Sequence, residues 1–117
     1  MEHREFTRVE YSGCASVSLG EEIIFGNLRN ISLSGMFLQM NQDMPLKTEV
    51  DIKLYNADQS AISVKGCVVR CDAMGVGIQI NKLDVNSFSR LRDLVSEKAM
   101  NYDQIMSETY KMSTRIH

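Results

Sequence analysis

From Val9 to Ile80 apolar residues alternate with polar ones in short runs broken by turn signals, the pattern of strands in an antiparallel sheet. "YSGCASVSL" and "EEIIFGNLRNISL" are separated by a turn at Gly20, and "SGMFLQM" follows at once. In "TEVDIKLY", Val50, Ile52 and Leu54 fall on one face and Asp51 and Lys53 on the other, a strand with one dry and one wet side. The loop "NADQS" leads to a last pair, "AISVKGCVVR" and "GVGIQI", joined by "CDAMG". About six strands with no helical pattern between them predict an all-β sandwich or small closed barrel rather than a parallel βαβ arrangement.

After Leu83 the period lengthens. Val85, Phe88, Leu91 and Val95 recur at helical spacing behind Asp84, whose carboxylate suits a helix N-cap, so a helix over about 84–99 is predicted to lie on the sheet. The final stretch carries Tyr102, Ile105, Met106 and Tyr110, enough for a second amphipathic helix or a continuation of the first, with no Gly or Pro to separate them. Residues 100–117 are read as an extension, helical or partly disordered. In it Met106 and Met112 offer either core packing or an adaptable partner surface.

Composition narrows the function. A chain of 117 residues fits one domain. With 13 basic against 15 acidic residues there is no global attraction to DNA or RNA, so any anion site must be local. No apolar run approaches the roughly 20 residues that span a bilayer, and "MEHREFTR" lacks the apolar stretch of a secretory signal, so a cytoplasmic protein without membrane insertion is expected. Cys14, Cys67 and Cys71 are read as reduced, partly buried thiols, and His3 and His117 stand at opposite ends. Neither a metal site nor a catalytic Ser/His/Asp or Cys/His set can be assembled from them, so no enzyme is expected.

Two short stretches hold the candidate chemistry. "REFTR" places Arg4 and Arg8 four apart, ahead of the first strand. In "NISLSG", a strand would send Ile31 and Leu33 to the core and leave Asn30 and Ser32 side by side on the outer face, roughly 6.5 Å apart. Gly35 then supplies a position without Cβ, suited to a positive φ or to close approach of another molecule.

RxxxR before the first strand and NxSxxG on the next, in an all-β domain with a terminal helix, resembles the PilZ family of bacterial cyclic di-GMP receptors. The resemblance continues through "GCVVRCDAMGVGIQI" into the helix from about Asp84. It implies a six-stranded antiparallel β-barrel with a C-terminal α-helix over residues 1–99, with residues 1–8 as a mobile arm that orders on binding. It also implies cyclic di-GMP as the ligand, held by Arg4, Arg8, Asn30, Ser32 and Gly35, with no further cofactor. Arginine suits such a ligand because its planar fork serves phosphate and the guanine O6/N7 edge alike. Many members carry Asp where this chain has Asn30, and His3 stands where those that take two stacked ligands often have another basic residue. With no output domain in the chain, the signal would pass to an unidentified downstream protein from a monomer or homodimer. The alternative is a barrel of the same fold that acts as a protein adaptor without ligand.

Overall fold

Each run of alternation becomes a strand: β1 Val9–Leu19, β2 Glu22–Ile31, β3 Gly35–Gln39, β4 Glu49–Tyr55, β5 Ala61–Asp72 and β6 Gly75–Leu83. The structure, a computed structural model, describes residues 6–55 and 61–117. Arg4, His3 and the "NADQS" loop therefore lie outside the described residues. The strands are antiparallel throughout and close into a barrel in the order β1-β2-β3-β6-β5-β4, with β4 pairing back onto β1. Closure removes both sheet edges and leaves an interior that side chains must fill.

The alternation decides what fills it. In β4, Val50, Ile52 and Leu54 are buried while Glu49, Asp51, Lys53 and Tyr55 face water. Ile31, Leu33, Leu38, Ile62 and Ile80 are fully enclosed. Gly20 makes the tight β1–β2 turn at φ 62°, a backbone conformation that costs glycine least.

Helix α1, Val85–Ala99, begins where the side chain of Asp84 accepts the Ser87 N–H at 2.7 Å and the Ser87 hydroxyl at 3.2 Å. Phe88, Leu91 and Val95 are buried against the barrel, but Val85, in the first turn, stays largely exposed. Met100 ends the helix in the left-handed conformation, φ 54°, with its N–H returned to the Ser96 carbonyl at 2.9 Å. Asn101 then caps a second helix, α2, Tyr102–Thr109, followed by a 3₁₀ segment, Tyr110–Arg115.

The buried face of this last part is not the stripe read from the sequence. Ile105, Glu108 and Met112 are enclosed, whereas Tyr102, Met106 and Tyr110 stand out in solvent. Ile105 and Met112 carry apolar bulk without a polar tip, so they join the core, and the tyrosines keep their hydroxyls wet. Ile116 bridges to Leu83 in parallel, and the His117 N–H donates to the Leu83 carbonyl at 2.9 Å, tying the chain end to the barrel.

Candidate functional site

Two β-bulges shape the outer face around β3. In the β2–β3 pairing, Leu28 opposes Leu38 and Asn30 opposes Phe37, so Arg29 is an extra residue. In the β5–β6 pairing, Val68 opposes Ile78 and Arg70 opposes Gly77, so Val69 is extra. Strict alternation from buried Leu28 and Val68 would turn Asn30 and Arg70 into the barrel; one inserted residue in each strand turns them out. A lateral row results across five strands: Glu10, Asn30, Phe37, Gly77, Arg70.

Gly77 leaves the row open in its middle. A Cβ there would sit 3.1 Å from Cβ of Arg70, so its absence lets the arginine lie across β6 toward Phe37. The Arg70 guanidinium carbon is 5.3 Å from the Phe37 ring centroid, and its Nε donates to Asp72 at 2.7 Å. Asp72 is held below its ordinary carboxylate pKa of 3.8, first by the Met74 N–H and then by Arg70.

Arg8 arrives from the other side. Its Nη1 donates to Asn30 Oδ1 at 2.6 Å, so the half-buried amide aims the guanidinium along the cleft. Thr7, one residue earlier, is bound through its N–H to Glu108 Oε1 at 2.8 Å. The cleft between Arg8 and Arg70 encloses about 510 Å³, with Phe37 and Ser34 in its lining, a size within the range of small-molecule sites. A second cleft of about 730 Å³ meets it at Asn30, Phe37 and Met74 and adds Tyr11, Arg29 and Lys98. Lys98 Nζ lies 5.5 Å from the Tyr11 ring centroid there.

Ser32 and Gly35 differ from expectation. Ser32 does not stand beside Asn30 on the outer strand face: β2 ends at Ile31, and Ser32 is buried in the turn before β3. Its hydroxyl accepts the N–H groups of Ser34 at 3.2 Å and Gly35 at 3.1 Å, while its own N–H donates to the Gly35 carbonyl at 2.8 Å. It lines the cleft but acts first as the pin of the turn. Gly35 has no positive φ; a Cβ would meet the Ile78 carbonyl oxygen at 2.6 Å. The close approach that calls for glycine is therefore this chain's own strand β6.

Arg70, Phe37 and Met74 were missed by pattern reading. The available signal was "VVRC", where an arginine falls at an inward parity position after two adjacent valines, a break in alternation that a bulge repairs. Cys14 is exposed rather than partly buried, while Cys67 and Cys71 are half-buried. Among the described residues no group of three His, Cys, Asp or Glu is placed to hold a metal, and no helix is long and apolar enough to cross a membrane.

The PilZ domain family profile matches residues 2–97. No sequence among the curated proteins matches the chain. Among solved structures it is similar to the inhibitor of motility MotI/DgrA of Bacillus subtilis, at TM-score 0.73 and 12% identity over 86% of this chain, and it spans about half of that protein, 53%. The PilZ domain of YcgR from Escherichia coli with c-di-GMP aligns at TM-score 0.68 and 10% identity, covering 85% of this chain and 93% of that one. The PilZ domain of CeSA from a cellulose-synthesizing bacterium aligns at TM-score 0.61 and 17% identity, covering 78% and 96%.

Proposed function

This chain belongs to the PilZ domain family, and on that premise we propose that it is a non-enzymatic receptor for cyclic di-GMP that passes the signal to a protein partner. The observation that carries the reading is the cleft in which Arg8, oriented by Asn30, faces Arg70 across the Phe37 ring. Cyclic di-GMP brings two phosphodiester anions and two purine faces. Two arginines supply forked, charged donors for phosphate or for the guanine O6/N7 edge, and the Arg70–Phe37 pair supplies a flat shelf for stacking.

In this reading Arg8 is the principal anion ligand and Asn30 both aims it and offers its amide to the guanine edge. Ser32 and Gly35 hold the turn that sets the cleft wall. Arg4 joins Arg8 from the arm; it lies outside the described residues. Arg29 and Lys98 extend the basic lining into the second cleft, so the ligand's second phosphate has cations within the same surface. In this reading the protein works in the cytoplasm.

Calorimetric titration with cyclic di-GMP tests the reading. Saturable heats are expected, and Arg8→Ala weakens binding by about 2 kcal/mol or more, the size of a lost charge-assisted contact. Flat heats for the unmodified chain overturn it and favour a second reading, a barrel that binds a protein partner without ligand. The exposed Tyr102, Met106 and Tyr110 on the outer side of the C-terminal segment favour that alternative.

A further inference from the structure

Glu108 is 1% exposed, yet no core function requires a carboxylate there. Its two oxygens take three donors: the Thr7 N–H at 2.8 Å, the Thr7 hydroxyl at 2.5 Å and Gln104 Nε2 at 3.0 Å. An acceptor-only group is what three converging donors call for. Three residues further on, Lys111 Nζ lies 5.6 Å from the ring centroid of Phe6. Two consecutive residues of the arm, Phe6 and Thr7, are thus gripped by side chains one helical turn apart in the C-terminal segment.

The grip falls directly before Arg8. Val9 opens β1 and is paired with Ile31, so the backbone of Arg8 is bracketed by a strand on one side and by the Glu108 clasp on the other. Its side chain then meets Asn30 at 2.6 Å. We propose that Glu108 is a positioning residue for ligand binding, which preorganises Arg8 through Thr7 and so couples the cleft to the C-terminal helix. The proposal rests on the cyclic di-GMP reading of the cleft. Coupling of this kind is reciprocal: if the clasp favours the ligand-competent arm, the ligand must in turn stabilise the clasp and the helix that carries it.

The experiment uses the full chain and the conservative Thr7→Val variant, which removes the hydroxyl donor at a half-buried position and keeps the shape. Glu108→Gln is the companion, and thermal unfolding of each variant alone establishes that it is folded. Titration with cyclic di-GMP is expected to show a Kd raised about tenfold in Thr7→Val, roughly the cost of one lost hydrogen bond to a charged group, the Thr7 N–H bond being kept. Hydrogen exchange supplies a readout that a purely structural role would not move. Ligand is expected to slow exchange of the amides from Ile105 to Met112 in the wild type, and to slow it much less in Thr7→Val. A folded Thr7→Val variant that binds as tightly as wild type or tighter, or a wild type whose α2 amides do not respond to bound ligand, overturns the proposal. Absence of any binding by the wild type instead defeats the receptor reading on which it stands.

Discussion

Gly35→Ala separates two reasons for a glycine in the NxSxxG stretch. If the residue is glycine because β6 passes close by, the added methyl meets the Ile78 carbonyl oxygen at 2.6 Å, against the roughly 3.3 Å at which carbon and oxygen normally touch, so the strands must part by about 0.7 Å. The obstacle is backbone within the β3–β6 pairing and cannot swing aside. Overpacking of this kind costs about 1–3 kcal/mol, while restricting the unfolded chain returns about 0.4–1 kcal/mol. At the centre of these ranges the clash wins, by about 1.3 kcal/mol. For a chain of this size that lowers Tm by roughly 4–10 °C, readable by circular dichroism. A variant that melts within about 1 °C of wild type refutes the reasoning. If such a variant also loses cyclic di-GMP binding, the glycine serves the ligand's approach instead.

Other consequences follow from single contacts. Asp72, with its pKa depressed in the fold, keeps its pairing with Arg70 from neutral pH down past the ordinary value of 3.8 and loses it only as pH falls through the lower folded-state value. In Arg70→Ala its carboxyl midpoint, followed by NMR, rises only partway, because the Met74 N–H, the largest single cause, remains; a full return to 3.8 would show that the Met74 N–H contributes nothing. Leu91→Ala, in the fully buried contact of α1 with the barrel, should cost about 2–5 kcal/mol in urea unfolding. Asp84→Ala should cost about 1 kcal/mol by the same assay, through the lost cap bonds to Ser87, and leave ligand titration unchanged.

The strands were legible because each declares itself through a period of two over a handful of residues. Val50, Ile52 and Leu54 needed no knowledge of their partners to be placed inside. The start of α1 was legible for the same reason, since Asp84 and Ser87 cap within one turn. Met100 was not, because a left-handed methionine carries no glycine-like signal; the side chain is exposed, and its N–H closes the helix on the Ser96 carbonyl. Phase also failed in α2: eight residues fit several stripes, and packing on α1, with the bond from Thr7, selected the one with Ile105 and Glu108.

At the site the division is sharper. Local pattern identified Arg8 and Asn30 as candidates, and the structure brings them to 2.6 Å. Asn30 was already expected on the outer face beside buried Ile31, but the outward turn of Arg70 depends on the bulge at Val69, and a bulge is a property of two paired strands, not of either one. The role of Ser32 was decided by the reversal after Ile31, which claims its hydroxyl for Ser34 and Gly35. The clasp of Glu108 on Thr7 joins residues 101 positions apart, and nothing nearby in the chain marks either for the other. Sequence alone named Arg8 and Asn30 as candidates for an anion and showed which strand faces had to be buried, since both follow from side-chain type and short-range periodicity. Which of them share a surface was decided only when the barrel closed, because closure places distant segments side by side.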